Sequence, residues 1–207
     1  MAKSARPPDV AAASMPWMAS IPPCLHIPIA ARDEKAIERF VGAITSTRRH
    51  RGRINALVVE SHQPPSPGLR LPVWGRAEAA MLHAETEVWV HVDYRRYVHA
   101  YKAANPGCDL LGKDVDHTMN RQIARLKGFD FVRIMPLAHS VNRSSGAVAE
   151  KWGIAYAGRP GANQRDNPSG PQVQYADLAD LVKMIGIATG GGFMDAVNDA
   201  QHLFELP

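Results

Sequence analysis

Between Asp114 and Trp152 the chain sets out Asp114, Asp116 and His117, then an apolar run from Phe129 to Leu137, then Asn142 and, eight residues later, Glu150. A run as apolar as Phe129–Leu137 must be buried, and its β-branched and aromatic content makes it a strand that draws the polar groups on either side toward a common place. The expected order is a loop from Gly107 to Gly112, a strand carrying Val115 and His117, and a second strand over Phe129–Met135 closed by Pro136. A helix then starts at Ser140, its N-cap, with Asn142 in the first turn. An eight-residue separation on a helix leaves Asn142 and Glu150 within about 80° of each other around the axis. Both then face one site.

Those residue types suit one hard divalent ion held beside an imidazole. Hydrolysing a phosphodiester requires a base for the attacking water, positive charge for the crowded phosphorane, and help for the leaving oxygen. A histidine near its intrinsic pKa serves as base without binding metal, and Mg²⁺ takes oxygen ligands while keeping several waters. His117 is the candidate base. Asn142, Asp116, Glu150 and Asp114 are the candidate oxygen donors, and His139 is a rim residue.

At 207 residues the chain can bury one sizeable core. Its net charge of +4 is modest, but its distribution is uneven. From Arg121 to Arg165 eight Lys or Arg stand against two acids, Asp130 and Glu150, so the basic excess coincides with the proposed site. Arg121 and Arg143 are placed to neutralise phosphate, and Arg133, Arg125, Lys127 and Lys151 to contact a polynucleotide. Two widely spaced cysteines, Cys24 and Cys108, offer no disulfide framework or zinc-cysteine site. Prolines interrupt the uncharged stretch from Val10 to Ala31, so no signal h-region or membrane span forms there. A cytoplasmic site of synthesis is expected, with export lacking a cleaved signal peptide as the alternative, and no membrane partner.

The fold expected is α+β. Residues 1–31 read as a Pro-rich extended arm, 32–157 as the core, 158–172 as a loop, and 173–207 as a helical hairpin made of Asp177–Thr189 and Phe193–Phe204. Within the core, Asp33 opens a helix that runs to the Ser46-Thr47 boundary. The basic cluster Arg48 to Arg53 is a loop offering a second phosphate contact, and Ile54–Val59 is a strand. A loop at Ser61–Gly68, a short strand at Leu71–Trp74 and a helix at Ala77–Glu85 follow. Val88–Val92 is a buried strand, and Asp93 caps a helix from Tyr94 to Lys102 that Asn105-Pro106-Gly107 ends. That helix brings Arg95 and Arg96 beside three tyrosines, which either line a nucleic-acid groove or half-bury against a sheet.

The central stretch resembles the ββα-metal (His-Me finger) nucleases, and most of all their non-specific DNA/RNA endonuclease branch. Asp114-Val115-Asp116-His117 stands where that branch has D-R-G-H. Pro136 lies six residues before Asn142, as the family's strand-end proline does, and Ala149-Glu150 stands where its L-E pair would be. The resemblance implies a strand–strand–helix finger, over residues 112–152, embedded in a small mixed sheet with flanking helices. It makes His117 the general base, Asn142 the direct metal ligand and Glu150 a ligand of metal-bound water. Val115-Asp116 replaces the family's Arg-Gly, so the phosphate-binding arginine must be Arg121, Arg133 or Arg143. The HNH branch gives a second registration through Val115-Asp116-His117 and Asn142-Arg143-Ser144-Ser145-Gly146, with Asp116 on the metal. Either branch implies an endonuclease of low sequence specificity using Mg²⁺, or Mn²⁺, on DNA with RNA as the alternative. Both are compatible with an antibacterial toxin that has an immunity protein. The rival functions are a nucleic-acid-binding module without catalysis and an interaction or assembly module.

Overall fold

In a computed structural model of the chain, the described residues are 27–62, 86–139, 142, 170–176, 180 and 183–184. They form an α+β fold. Its strands are β1 (Pro28–Ala31), β2 (Gly42–His50), β3 (Arg53–Ser61), β4 (Thr86–His91), β5 (Lys113–His117), β6 (Phe131–Ala138) and β7 (Val173–Tyr175). Its described helices are α1 (Glu34–Phe40), α2 (Tyr97–Ala104) and α3 (Arg121–Lys127). One sheet takes the order β2-β3-β4-β6-β1-β7, with β5 also paired to β6. Every described pairing is antiparallel rather than mixed.

Strand β6 is the axis of the sheet. Ile134 pairs with Val88 of β4 and with His117 of β5, so β5 must lie on the edge opposite β4. Ala30 and Ala31 of β1 take Val132 and Phe131 on that same edge. Thr118 sits where β6 exchanges one neighbour for the other. Its amide donates to Arg133 O at 3.0 Å, and its hydroxyl lies 3.0 Å from the same oxygen and 3.3 Å from Ile29 O.

Each face of the sheet has its own cover. On one, Trp89, Phe131, Leu57 and Val59 pack with Ala36, Ile37 and Val41, residues on or next to α1. On the other, Val88, Val90, Val115 and Ile134 pack with Ala100 of α2, and Tyr94, Tyr97 and Tyr101 add their rings. The tyrosines of this segment therefore half-bury against the sheet. Each fully covered large apolar side chain contributes roughly 1.5–3 kcal/mol.

Several elements differ from the sequence reading, for local reasons. Helix α1 ends at Phe40, and the chain enters β2 at Gly42, because Ile44, Thr45 and Thr47 are β-branched and Gly42 lets the strand press on β3. A Cβ at Gly42 would overlap the carbonyl oxygen of Glu60. Arg48, Arg49 and His50 belong to β2 and Arg53 to β3, and only Arg51 and Gly52 make the turn. Both have positive φ, 49° and 78°, which suits a two-residue hairpin loop. The end of the supposed arm is β1, wholly buried between β6 and β7. Residues 173–175 are a strand and not the start of a helical hairpin.

Pro136 lies inside β6, opposite Val115, and does not close it. Because Arg133 O faces Thr118, odd-numbered residues of β6 turn their backbone toward β5 and even-numbered ones toward β4. The missing N–H of Pro136 thus points past Ile134, where pairing with β4 has ended, and costs no ladder bond. Helix α3 was not expected. It is bounded by Asn120, whose side chain accepts from Gln122 N and Ile123 N, and by Gly128 in the left-handed region at φ 83°. The expected strand at 71–74, the helix at 77–85 and the second tail helix lie outside the described residues, as do most of the arm and of the 158–172 loop.

Candidate functional site

His117 closes β5, on the face covered by α2. Register and side-chain alternation put Val115 and His117 on that face and Asp114 and Asp116 on the other. The imidazole is 5% exposed, and the Tyr97 ring lies against it with centroids 4.3 Å apart. Asp116 still reaches it along the strand edge, with Oδ1 3.4 Å from Nδ1. A carboxylate only accepts, so Nδ1 carries the hydrogen and the Nε2 lone pair is left bare. Nε2 is buried and has no hydrogen-bond partner among the described residues.

Burial keeps His117 neutral near pH 7. Burial is the main influence pushing its pKa below 6.5; the Asp116 hydrogen bond pulls the other way, while the positive charges of Arg121 and Lys183 add to the lowering. The Asp116 carboxyl lies below its ordinary 3.8. Burial alone would raise it, but the His117 hydrogen bond and the Lys183 charge outweigh that. Lys183, which sequence reasoning missed, is buried. Its Nζ lies 3.1 Å from His117 O and 3.5 Å from Asp116 Oδ2, so it ties the last part of the chain to β5. A lysine on an apolar tail segment offered the only hint.

The other expected residues divide into those near His117, those engaged elsewhere and those outside the description. Arg121 opens α3, close enough to act on His117. Asn142 is helical and half-buried, and His139 is already helical, one residue ahead of the expected N-cap Ser140. Asp114 pairs with His139, Oδ2 to Nδ1 at 2.8 Å, away from the His117 ring. Arg143, Glu150 and Lys151 lie outside the described residues.

Three of the proposed polynucleotide contacts have structural employment. Arg133 is 1% exposed and reaches Glu87 of β4, NH1 to Oε1 at 3.2 Å, while Glu87 Oε2 accepts from Trp89 Nε1 at 3.0 Å. It is a core residue that no phosphate touches, and this corrects the sequence reading. Alternation along β6 brings it inward opposite Trp89. Arg125 donates to Asp93 Oδ1 and to Val92 O, each at 2.9 Å, and Lys127 to Gln174 at 3.1 Å. Asp93 therefore caps nothing; the N-cap of α2 is Arg96, which makes no side-chain cap bond. Arg95 and Arg96 are exposed.

The described carboxylates do not by themselves fit a divalent ion. No group of three or more His, Cys, Asp or Glu among the described residues is placed to hold one, and Asp116 already faces the Lys183 ammonium. No described helix is long and apolar enough to cross a membrane. No protein-family model, curated protein or solved structure matches the chain.

Proposed function

We propose that the protein hydrolyses phosphodiester bonds in nucleic acid, DNA first and RNA as the alternative, with His117 as general base. The observation that carries this reading is the bare Nε2 of His117, a buried ring nitrogen with no partner among the described residues. Leaving such a nitrogen unsatisfied costs about 1–3 kcal/mol, and service as a base is a use that accounts for that cost. Asp116 fixes the tautomer, burial keeps the ring neutral, and Arg121, whose charge is felt at His117, is the cation assigned to a phosphate oxygen.

In the step, Nε2 takes a proton from water, the resulting hydroxide oxygen bonds to phosphorus, and the bond from phosphorus to the leaving oxygen breaks. That oxygen takes its proton from solvent. Mg²⁺ and Mn²⁺ enter as arms of the test, and Asn142 and Glu150 would supply the oxygen donors for such an ion.

One observation favours a second reading, binding without cleavage. Tyr97 and the surrounding burial seal Nε2 from water, so the ring must be uncovered before it can act. Incubating supercoiled plasmid or RNA with wild type and His117→Ala, in Mg²⁺, Mn²⁺ or chelator, separates the two. Cleavage that needs His117 supports the hydrolase; intact substrate in every arm, with retained binding, retires it.

A further inference from the structure

Beyond His117, the ribbon formed by β2 and β3 and the start of α2 enclose a cleft of about 460 Å³. Its walls carry Arg48, Arg49, Arg53, His91, Arg96 and His99. Four lining arginines less one lining carboxylate, Asp93, leave +3 with the histidines neutral. Asp93 itself is shared between Arg53 at 3.1 Å and Arg125 at 2.9 Å.

Arg48 and Arg53 each lie against an imidazole, and Arg53 also meets the Asp93 carboxylate. Arg48 NH1 lies 3.0 Å from His99 Nδ1, and Arg53 NH2 2.9 Å from His91 Nε2. A guanidinium only donates, so His99 Nδ1 accepts and holds the Arg48 fork in place without bringing a carboxylate to it. Burial and the Arg53 charge keep the His91 pKa below the ordinary value. Arg49 and Arg96 are exposed and have no ion-pair partner among the described residues.

A second hollow, about 380 Å³, shares Arg48 and is floored by Ala56, Val58, Val88, Ala100 and Ala103. A basic cleft opening onto a floor of small apolar side chains matches a chain that alternates phosphates with flat bases. Tyr94 on the cleft wall adds an aromatic ring.

We infer that this cleft binds the phosphate backbone of single-stranded nucleic acid, with a base seated on the alanine and valine floor beside it. It rests on the reading that the ligand is a polynucleotide, and not on cleavage. The site is separate from His117, which lies on β5 beneath Tyr97.

The test is fluorescence anisotropy of a labelled oligothymidylate with the full chain in chelator, for wild type, Arg49→Glu/Arg96→Glu and Lys35→Glu/Arg39→Glu, the same charge change on α1 at the other face of the sheet. The expected result is about tenfold or greater weakening in the double variant, and a salt dependence shallower by about 1.4, two contacts at about 0.7 each for a single strand. Lys35→Glu/Arg39→Glu binds like wild type. An unchanged affinity and salt slope in the double variant, or a duplex of the same length competing tenfold better than the single strand, overturns the inference. If the double variant does not fold, the imidazole resonances of His91 and His99 in wild type decide. They shift on adding oligothymidylate if the cleft is occupied, and stay fixed if it is not. Binding through the cleft with no cleavage anywhere would retire the hydrolase and keep this site; His117-dependent cleavage with binding indifferent to Arg49 and Arg96 does the reverse.

Discussion

Replacing Arg133 with Met tests whether this arginine belongs to the core or to a nucleic-acid surface. Its side chain and that of Glu87 are each 2% exposed, and the Glu87 carboxylate bridges Arg133 at 3.2 Å and Trp89 at 3.0 Å. Arg133→Met leaves a buried carboxylate without its cation, which costs about 3–5 kcal/mol. For a chain of this length each kcal/mol moves Tm by about 2–4 °C, so a fall of about 6–20 °C follows. Glu87→Gln alone removes the carboxylate that faces the guanidinium and costs a similar amount, but its amide oxygen still accepts from Trp89. Arg133→Met/Glu87→Gln removes both charges, and its loss should be smaller than that of either single change. A cycle of urea melts followed by tryptophan fluorescence gives the coupling directly, expected at about 3 kcal/mol or more.

The same pair carries a pH signature. Burial raises the Glu87 carboxyl above 4.5, against the opposing pull of Arg133 and Trp89. Without Arg133 it rises further. A raised folded pKa means stability that is present below the unfolded value and lost as pH rises through the folded one, so the deficit of Arg133→Met must grow from acid to neutral pH. A Tm within about 2 °C of wild type, or additive single variants, would refute the buried-pair account. So would a folded Arg133→Met whose oligonucleotide affinity falls as far as that of Arg49→Glu/Arg96→Glu.

Other outcomes follow from single residues. His117 has its pKa depressed below 6.5 by burial, so its contribution to stability is complete above that value and is lost as pH falls; urea midpoints should drop between about pH 7.5 and about pH 5.5 by less in His117→Phe than in wild type. If it is the base, the acid limb of kcat/KM has its midpoint below 6.5, and a midpoint above that value would exclude a neutral buried imidazole. Gly42→Ala forces a Cβ onto the Glu60 carbonyl, with an expected loss of roughly 1–3 kcal/mol in a thermal melt. Gly128→Ala places a side chain at φ 83° and should cost about 1–2 kcal/mol by the same measurement, while an unaltered Tm would show that α3 ends differently.

The strands were legible where apolar residues ran continuously. Phe129–Met135, Val88–Val92, Ile54–Val59 and the segment of Val115 and His117 all lie in or against strands, because a buried strand has no alternative use for such side chains. Helix α1 was over-extended because Val41 and Ile44 repeat at helical spacing, and only the contact of Gly42 with β3 decides that the chain turns there. β1 and β7 were missed because each is a short strand, Pro28–Ala31 and Val173–Tyr175, paired to residues distant in sequence. At the site, the Asp116–His117 contact was readable as adjacency. The Lys183 contact, the Tyr97 ring and the burial of Arg133 arise from long-range packing. The basic ribbon was visible as a run of arginines, but its assembly with Arg96, His91 and His99 depends on a hairpin register that composition does not report.

The position of β1 sets a timetable for the nascent chain. Its residues pair with Phe131 and Val132 on one side and with Val173 to Tyr175 on the other, partners that leave the ribosome a hundred or more residues later. Ile27, Ile29 and their neighbours, fully covered in the finished protein, must wait through that interval with their backbone unzipped. During synthesis this segment is the one most in need of a chaperone, and a truncation ending before Val173 should leave it a sticky, protease-sensitive tag.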